Sequence, residues 1–468
     1  MNRVRLALSV ITITLLVGCG DTDTTNSSTK QNEPTHNASS QGDSMNRENS
    51  ALTHNNKQTV AYFGDKEDNL IVVVDIDNMK LLKSVATGHE KSYSAEIIET
   101  LRDKHNKTPK MYVANRGSNA IDVFDSATNT ISPTPIDLKF YPRSIAVEPN
   151  SGFVAVSSSN KAMTSIIDSH TDKVIATVGE DVVTAPTTSG HDYLSSGTLS
   201  CGHPHWLNEN HFVLIDREHK KIITYRLIQM GDGSYTTTKV NELSTPSPVH
   251  NLIPPEIHGA HGRKGKHGGE DVYLSTIFFA TAEGSESVYP SVLKLEFTPS
   301  QGLTIVDELK IKKEGLEPNV MGVHHLNFLK DMKTIYVGSD EGTLFVVDYT
   351  STPMRIIKTV PAGKGAGHTD EMEHNSIAVV INHKDKFITV MNTKNHTKIA
   401  DIKVSNLDEV GTVQTQSHPK YHFSKDGRYF YLFLTEEGAL VKVDLVNKKV
   451  VERLEIGGKL AMGSFVES

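Results

Sequence analysis

Short apolar runs alternate with turns of Asn, Asp, Gly and Ser along most of the chain, and this pattern predicts β-strands. The recurring unit is a β-branched or aromatic run that ends in Asp or Asn, then a polar turn and a second run. The first runs are Ile71–Asp75, Ile121–Asp125, Ile166–Asp168, Leu344–Asp348, Phe387–Asn392 and Leu440–Asp444. Amphipathic helical periodicity is scarce, and only residues 94–105 are predicted to form a helix.

The units recur at a spacing of about 40–50 residues, which is typical of a β-propeller. We expect an all-β domain with a single propeller of eight blades, or of seven if the fourth and fifth units share a blade. The units lie near residues 59–88, 109–137, 143–178, 203–245, 250–312, 323–362, 368–405 and 418–458. The first unit lacks an innermost strand, and residues 459–466 are predicted to supply it and close the ring. Two packed sandwiches fit the even spacing less well.

The N-terminus has the pattern of an export signal. A start with two arginines leads into an apolar run, Leu6–Val17, which is too short to span a bilayer as a helix. The run ends in Leu16-Val-Gly-Cys19, which resembles the lipobox of bacterial lipoproteins. The resemblance implies that residues 1–18 are a signal peptide and that Cys19 is lipidated. An ordinary cleaved signal with a chance cysteine is the alternative.

Residues 19–57 are rich in Ser, Thr, Asn and Gln and bury too little apolar surface to order themselves, so they are predicted to form a flexible tether. The propeller then comprises residues 58–468. Because Gly20 rather than Asp follows the lipobox cysteine, the lipoprotein resemblance implies anchoring in the outer membrane, facing the periplasm of a bacterial cell envelope.

Composition excludes several classes of protein. The 468 residues are 37% hydrophobic, which excludes a wholly disordered chain, and the two cysteines exclude a disulfide scaffold. The net charge of −8 gives no basic footprint for a nucleic-acid partner. The 22 histidines are the main candidate chemistry.

One structural position repeatedly carries histidine when the units are aligned on their second strands. Counting ten positions back from the second strand reaches His325 in the sixth unit and falls beside His203, His368 and His418 in three others. This position begins the innermost strand, so these side chains are predicted to converge at one mouth of the channel. Neutral imidazoles placed together suit zinc, or copper. The alternative is that each histidine caps a turn.

Further candidate ligands lie close to these histidines in sequence. They are Cys201, His205, His324, Asp370 and His374. Cys201 and His205 flank His203 in a segment that, if extended, points alternate residues one way. The alternative for Cys201 is a buried, inert thiol.

A His-rich insertion at residues 250–270 is a second candidate. It carries His250, His258, His261 and His267 among many glycines. The composition predicts a mobile loop with a secondary metal site, with a solvated basic loop as the alternative.

Two families resemble this chain. Residues 111–131 and 152–178 resemble the YVTN-type repeat of bacterial surface and periplasmic propellers of the YncE kind, which implies the fold. The His324-His325 pair, the 250–267 insertion and the stretch from His418 to Phe423 are similar to periplasmic zinc chaperones that serve ABC-type zinc importers. That resemblance implies a metal chaperone or scavenger, with zinc as its metal and a periplasmic metal-transport component as its partner.

Enzyme signatures are scarce. The sequence contains no Cys-x-x-Cys-His, His-Glu-x-x-His, Gly-x-Ser-x-Gly or P-loop, so we expect a binding protein rather than an enzyme. One alternative is a metal-free propeller that docks a protein or cell-envelope partner. The other is a metal-dependent oxidoreductase or a lactonase-like hydrolase. Lactonase propellers carry a Pro-Arg-His element before an inner strand. The segment Tyr141-Pro-Arg-Ser resembles that element in its arginine but has no histidine.

Overall fold

The computed structural model describes residues 58–98, 110–183, 200–255, 276–372, 375–407 and 422–467. Within these ranges the chain is almost wholly β-strand, and the strands form antiparallel blades of four or five strands that follow one another along the sequence. One parallel strand pair joins the first two blades into a single sheet. The predicted fold, a single all-β propeller of eight blades, is confirmed.

The strands are assigned to blades in chain order. Blade 1 contains β1 (Thr59–Asp65), β2 (Leu70–Asp75), β3 (Lys80–Ala86) and, from the far end of the chain, β33 (Leu460–Glu467). Blade 2 contains β4 (Ser92–Ile98), β5 (Lys110–Asn115), β6 (Ala120–Asp125), β7 (Thr130–Ile131) and β8 (Ile136–Asp137). Blade 3 contains β9 (Pro142–Val147), β10 (Phe153–Ser158), β11 (Lys161–Asp168) and β12 (Lys173–Val183). Blade 4 contains β13 (His205–Asn208), β14 (His211–Asp216), β15 (Lys221–Gln229) and β16 (Tyr235–Ser244).

The second half of the ring repeats this arrangement. Blade 5 contains β17 (Val249–Ile253), β18 (Ile277–Ala282), β19 (Ser291–Thr298) and β20 (Gly302–Lys310). Blade 6 contains β21 (Val323–Phe328), β22 (Thr334–Ser339), β23 (Thr343–Asp348) and β24 (Arg355–Pro361). Blade 7 contains β25 (Ala366–Glu371), β26 (Ile377–Asn382), β27 (Phe387–Asn392) and β28 (Thr397–Lys403). Blade 8 contains β29 (His422–Phe423), β30 (Tyr429–Leu434), β31 (Ala439–Asp444) and β32 (Lys449–Glu455).

Helix is confined to short pieces. The described residues include one α-helical turn, α1 (Pro318–Met321), and one 3-10 turn at Thr435–Glu437. None of the helices in these ranges is long and apolar enough to cross a membrane.

The two ends of the domain meet in blade 1. Strand β33 pairs antiparallel with β1, and Glu467 lies opposite Thr59. The last strand of the chain is therefore the innermost strand of the first blade, as predicted for residues 459–466. A sheet edge that would otherwise be open is paired.

The helix predicted over residues 94–105 is wrong where the structure describes it. Residues 92–98 form β4, which pairs with β5 and is the innermost strand of blade 2. Ala95 and Glu96 favour helix in isolation, but pairing with β5 supplies the innermost strand of the blade and outweighs that weak local preference.

The core lies between neighbouring blades. The middle strands are packed on both faces most completely in blade 6, where β22 and β23 are buried at every residue. The outermost strands meet solvent on one side, and β24 alternates between exposed and more buried positions. This layering is why the middle strands read as continuous apolar runs in the sequence.

The innermost strands share a β-bulge. In each of seven blades the innermost chain spans one more residue than its partner strand. The bulges lie at Ser92–Ser94, Pro142–Ile145, Cys201–His205, Val249–Leu252, Val323–Leu326, Ala366–Thr369 and Leu460–Gly463. A bulge bends a strand and turns its side chains away from the regular alternation.

Candidate metal centre

The bulges of blades 4 to 7 each carry a histidine. His203 lies in the blade 4 bulge, His250 in blade 5, His325 in blade 6 and His368 in blade 7. Consecutive innermost strands contact each other around the channel, so residues from four blades come together although they are far apart in sequence.

Three of these side chains form a compact group. One ring nitrogen each from His203, His250 and His325 lies within 4.8 Å of the other two. The Nε2 atoms of His203 and His250 are 3.1 Å apart. Zinc binds imidazole nitrogen at about 2.0–2.1 Å, which places tetrahedral ligand nitrogens about 3.3 Å from each other. Small ring movements would therefore bring the three nitrogens around one ion.

A fourth imidazole adjoins this group. The ring centroids of His325 and His368 are 4.0 Å apart, and His368 Nδ1 lies 2.8 Å from Nε2 of His383. His383 follows β26 in the same blade as His368 and is almost fully buried. The row of imidazoles thus runs from His203 to His383 across four blades.

Backbone contacts fix the spacing of blades 4 and 5 at this point. The amide of His203 donates to the carbonyl of His250 at 2.8 Å. A Cβ atom added at Gly202 would lie 2.6 Å from the same carbonyl oxygen, closer than real side chains approach. Glycine at position 202 is what lets His203 and His250 meet.

Buried charges flank His250. Its Nδ1 lies 3.2 Å from Oε1 of Glu283, and Arg217 Nη2 donates to Oε2 of the same carboxylate at 2.5 Å. Arg143 Nη2 is 3.4 Å from Nδ1 of His250, and Arg143 Nη1 donates to the carbonyl of Cys201. Glu283 and Arg217 are essentially inaccessible to solvent, so their charges depend on each other.

Asn251 contacts the next histidine along the row. Its amide nitrogen lies 2.9 Å from Nδ1 of His325. Among the described residues, Oδ1 of Asn251 is buried with no hydrogen-bond partner.

The structure places Cys201 outside the three-histidine group. Its thiol donates to the carbonyl of Lys161 at 3.2 Å, on the side of blade 3. Burial raises the pKa of Cys201 to about 12, which favours the protonated thiol in the metal-free protein.

His205 also lies outside the group, although the sequence allowed either His203 or His205. The bulge interrupts the alternation that an extended strand would give, and His205 packs edge-on against Phe278. Burial lowers the pKa of His205 to about 4, which keeps the ring neutral. In the structure the ring therefore packs between blades 4 and 5.

The remaining candidates fall in several places. Asp370 lies on β25, outside the three-histidine group. The backbone of His324 lies in the blade 6 bulge beside His325. Lipidation at Cys19, and the proposed ligands His258, His261, His267, His374 and His418, lie outside the described residues.

His250 belongs to the channel cluster, whereas the sequence pointed to a mobile loop. It is a residue of β17 and is buried. The apolar residues around it, in Val249-His-Asn-Leu-Ile253, are the signal that could have separated it from the Gly-rich segment that follows. His383, Asn251 and Glu283 were not predicted, because each lies outside the register that aligned the other histidines.

Comparison with known proteins supports the fold. No family model and no curated protein matches this chain. Among solved structures, dihydro-heme d1 dehydrogenase NirN in complex with DHE superposes with a TM-score of 0.57 at 12% identity, over 87% of this chain and 75% of NirN. Two structures of AztD from Citrobacter koseri, one of them the apo form, each superpose with a TM-score of 0.52 at 10% identity, over 88% of this chain and 98% of AztD. At these identities the likeness establishes the propeller fold alone.

The fold and the site together define a class. The protein is a β-propeller with a buried cluster of histidines, drawn from consecutive blades, whose geometry fits a metal ion.

Proposed function

We propose that this protein is an exported, lipid-anchored propeller that binds zinc through His203, His250 and His325 and serves as a metal chaperone or scavenger in the cell envelope. The observation that carries the proposal is the convergence of three imidazoles from three blades within 4.8 Å. His368, in contact with His325, is the candidate fourth ligand.

The donor set indicates which ions suit the site. Neutral imidazole is a good ligand for zinc and copper and a poor one for calcium or magnesium, which take oxygen ligands. No carboxylate or thiol belongs to the three-histidine group among the described residues. Copper is therefore the competitor to test against zinc. The resemblance of the sequence to periplasmic zinc chaperones favours zinc and suggests a metal-transport component as the recipient.

Metal titration of the full chain in detergent tests the function. We expect wild type to bind zinc at the channel, and the double variant His250→Ala/His325→Ala to lose affinity by more than about 100-fold, because two of three ligands are gone. His170→Ala/His219→Ala is the matched control, since both rings are largely exposed and lie outside the group. Equal binding by both double variants would contradict the proposal. Parallel titrations with copper decide between the two metals.

The lipid anchor is tested separately. The Cys19→Ser variant is expected to leave the membrane fraction, while wild type stays in it. Identical fractionation of the two proteins would exclude lipidation at this residue.

A further inference from the structure

Three of the imidazoles share a feature beyond their convergence. In each, Nδ1 faces a partner that belongs to the protein. Glu283 Oε1 lies 3.2 Å from Nδ1 of His250, the Asn251 amide 2.9 Å from Nδ1 of His325, and His383 Nε2 2.8 Å from Nδ1 of His368. These partners lie at three different places in the fold. Glu283 follows β18, Asn251 lies on β17 across the blade boundary from His325, and His383 follows β26.

The partner on Nδ1 decides what Nε2 can do. A neutral imidazole carries one proton, so an acceptor at Nδ1 holds the proton there and leaves the Nε2 lone pair for a metal. At His250 the nitrogen faces both a carboxylate and the Arg143 guanidinium, which only donates. The carboxylate is nearer, and its negative charge favours the proton on Nδ1. Nε2 of His250 is then the nitrogen that faces His203.

Asn251 differs from Glu283, because it places a hydrogen-bond donor rather than an acceptor at Nδ1 of its histidine, His325. With the amide nitrogen toward His325, Nδ1 accepts and the ring proton resides on Nε2, where it blocks coordination. A half-turn of the amide brings Oδ1 to the same place, and Oδ1 is the atom that has no hydrogen-bond partner in the described structure. The rotated amide accepts from Nδ1 and frees Nε2 of His325.

We propose that Glu283, Asn251 and His383 are positioning residues that hold the protons of His250, His325 and His368 on Nδ1, so that the metal is bound through Nε2. This inference rests on the proposed function, because it describes how the same cluster binds its ion. Arg217 completes the arrangement by holding Glu283 in place from the far side, through its hydrogen bond to Oε2.

The variant Glu283→Gln tests the idea without changing side-chain size. Arg217 can only donate, so it retains the single carboxamide oxygen, and the carboxamide nitrogen is turned toward His250. That nitrogen donates to Nδ1 and drives the ring proton onto Nε2. We expect zinc affinity of the full chain to fall by about 10–100-fold, which is typical when the partner of a ligating histidine is lost. Glu148→Gln is the matched control, because Glu148 is also a buried carboxylate and bonds only near its own turn.

A pair of substitutions at Asn251 separates positioning from packing. Asp has an acceptor in place of the amide and keeps the shape, so Asn251→Asp is expected to bind zinc at least as tightly as wild type. Leu has no acceptor, and Asn251→Leu is expected to lose about 10–100-fold. A residue with a packing role alone gives the reverse order, because Asp buries a new charge and Leu does not. Melting temperatures of the metal-free proteins show whether each variant is folded.

Cobalt(II) gives a second readout. Its visible spectrum reports the geometry and number of nitrogen ligands, and we expect the Asn251→Asp and wild-type spectra to coincide. His383→Gln should retain one bound ion per chain, since Gln can accept from His368. A fall in the number of bound ions in that variant would make His383 a ligand and overturn its positioning role.

The outcomes distinguish this inference from the function on which it rests. If wild type binds no zinc or cobalt, the proposed function fails. If wild type binds and Glu283→Gln and Asn251→Leu bind equally well, the function stands and the positioning assignment is wrong. If Glu283→Gln and Asn251→Asp both weaken binding to the same degree, the charge of these residues matters and the tautomer argument is wrong.

Discussion

Single residues decide how closely the imidazoles approach one another. Gly367 precedes His368, and a Cβ atom added to it would lie 2.7 Å from the ring of His383. The small residue therefore allows the ring of His383 to lie against His368. Gly202 does the same for the contact between His203 and His250. The sequence does not reveal the role of these two glycines, since no flanking residue distinguishes them from glycines in turns.

Substitution at Gly367 should therefore affect the candidate metal site indirectly, through the contact of His383 with His368. Gly367→Ala is expected to push the ring of His383 away from His368 and weaken zinc binding by about tenfold, the lower end of the range for a lost partner. Gly231→Ala is the control, because a Cβ atom there meets nothing within 4 Å. Isothermal titration of both variants makes the comparison. Wild-type affinity in Gly367→Ala would show that the His368–His383 contact has no part in binding.

Part of the candidate site was predictable from the register of the repeats, for a physical reason. His203, His325 and His368 were predicted because propeller blades repeat, so that equal offsets from equivalent strands give equivalent places in space. The sequence could not separate His205 from His203, because side chains alternate between faces only in a regular strand. The bulge between Cys201 and His205 interrupts that alternation. Glu283 and His383 were not predicted because they follow the second strands of their blades, whereas the aligned position begins the innermost strand. The thiol of Cys201 points toward blade 3, where it donates to the carbonyl of Lys161, and sequence spacing alone could not indicate that direction.

At the scale of strands and turns, the aspartates that mark each repeat have a structural cause. Asp75, Asp125, Asp348 and Asp444 end the third strand of their blades and accept hydrogen bonds from backbone amides two or three residues later. Such Asx turns lead the chain into the outermost strand. The sequence pattern that predicted the blades is therefore the pattern of these turns.

Asp348 is the turn residue best suited to a test. It is almost fully buried and accepts from the amides of Thr350 and Ser351 and from Arg355. Burial raises the pKa of this carboxyl, but the hydrogen bonds outweigh burial, and its net pKa lies below the ordinary value. The stabilisation is therefore present at neutral pH and is lost as the pH falls through that lowered pKa.

We expect Asp348→Ala to lower the free energy of unfolding by about 1–2 kcal/mol at pH 7, and Asp348→Asn to cost less because one acceptor oxygen is retained. Urea unfolding measures both. The difference between wild type and Asp348→Ala should vanish in strong acid, where the carboxyl is protonated. A difference that does not depend on pH would assign the effect to packing.

At the scale of the whole molecule, the ring depends on its last strand. β33 pairs with β1 along its length, and Phe465, Leu460 and Ala61 belong to the same buried cluster. The propeller and its closure were predictable from sequence because the repeat has one strand too few at the start and one too many at the end. The location of the histidine cluster was less predictable, since it depends on contacts between blades.

Deletion of residues 459–468 should remove this closure. It would expose the inner edge of β1 and part of the apolar cluster of blade 1, and an unpaired edge invites association with other chains. We expect a melting temperature lower by more than about 10 °C, or aggregation at a temperature at which wild type is soluble. Thermal unfolding followed by light scattering distinguishes the two. A truncated protein as stable as wild type would mean that closure contributes little.

The pairing of Thr59 with Glu467 has a consequence for how the chain can be rewired. Two antiparallel neighbours whose ends lie side by side can be joined by a tight hairpin turn, so a circular permutant with a short Asn-Gly link between them would make blade 1 four consecutive strands, like the other blades. New ends could be placed between β28 and β29. All five imidazoles of the row, from His203 to His383, would stay on one uninterrupted stretch of the permuted chain. The junction between β33 and β1 is thus separate in sequence from the stretch that carries the row of imidazoles.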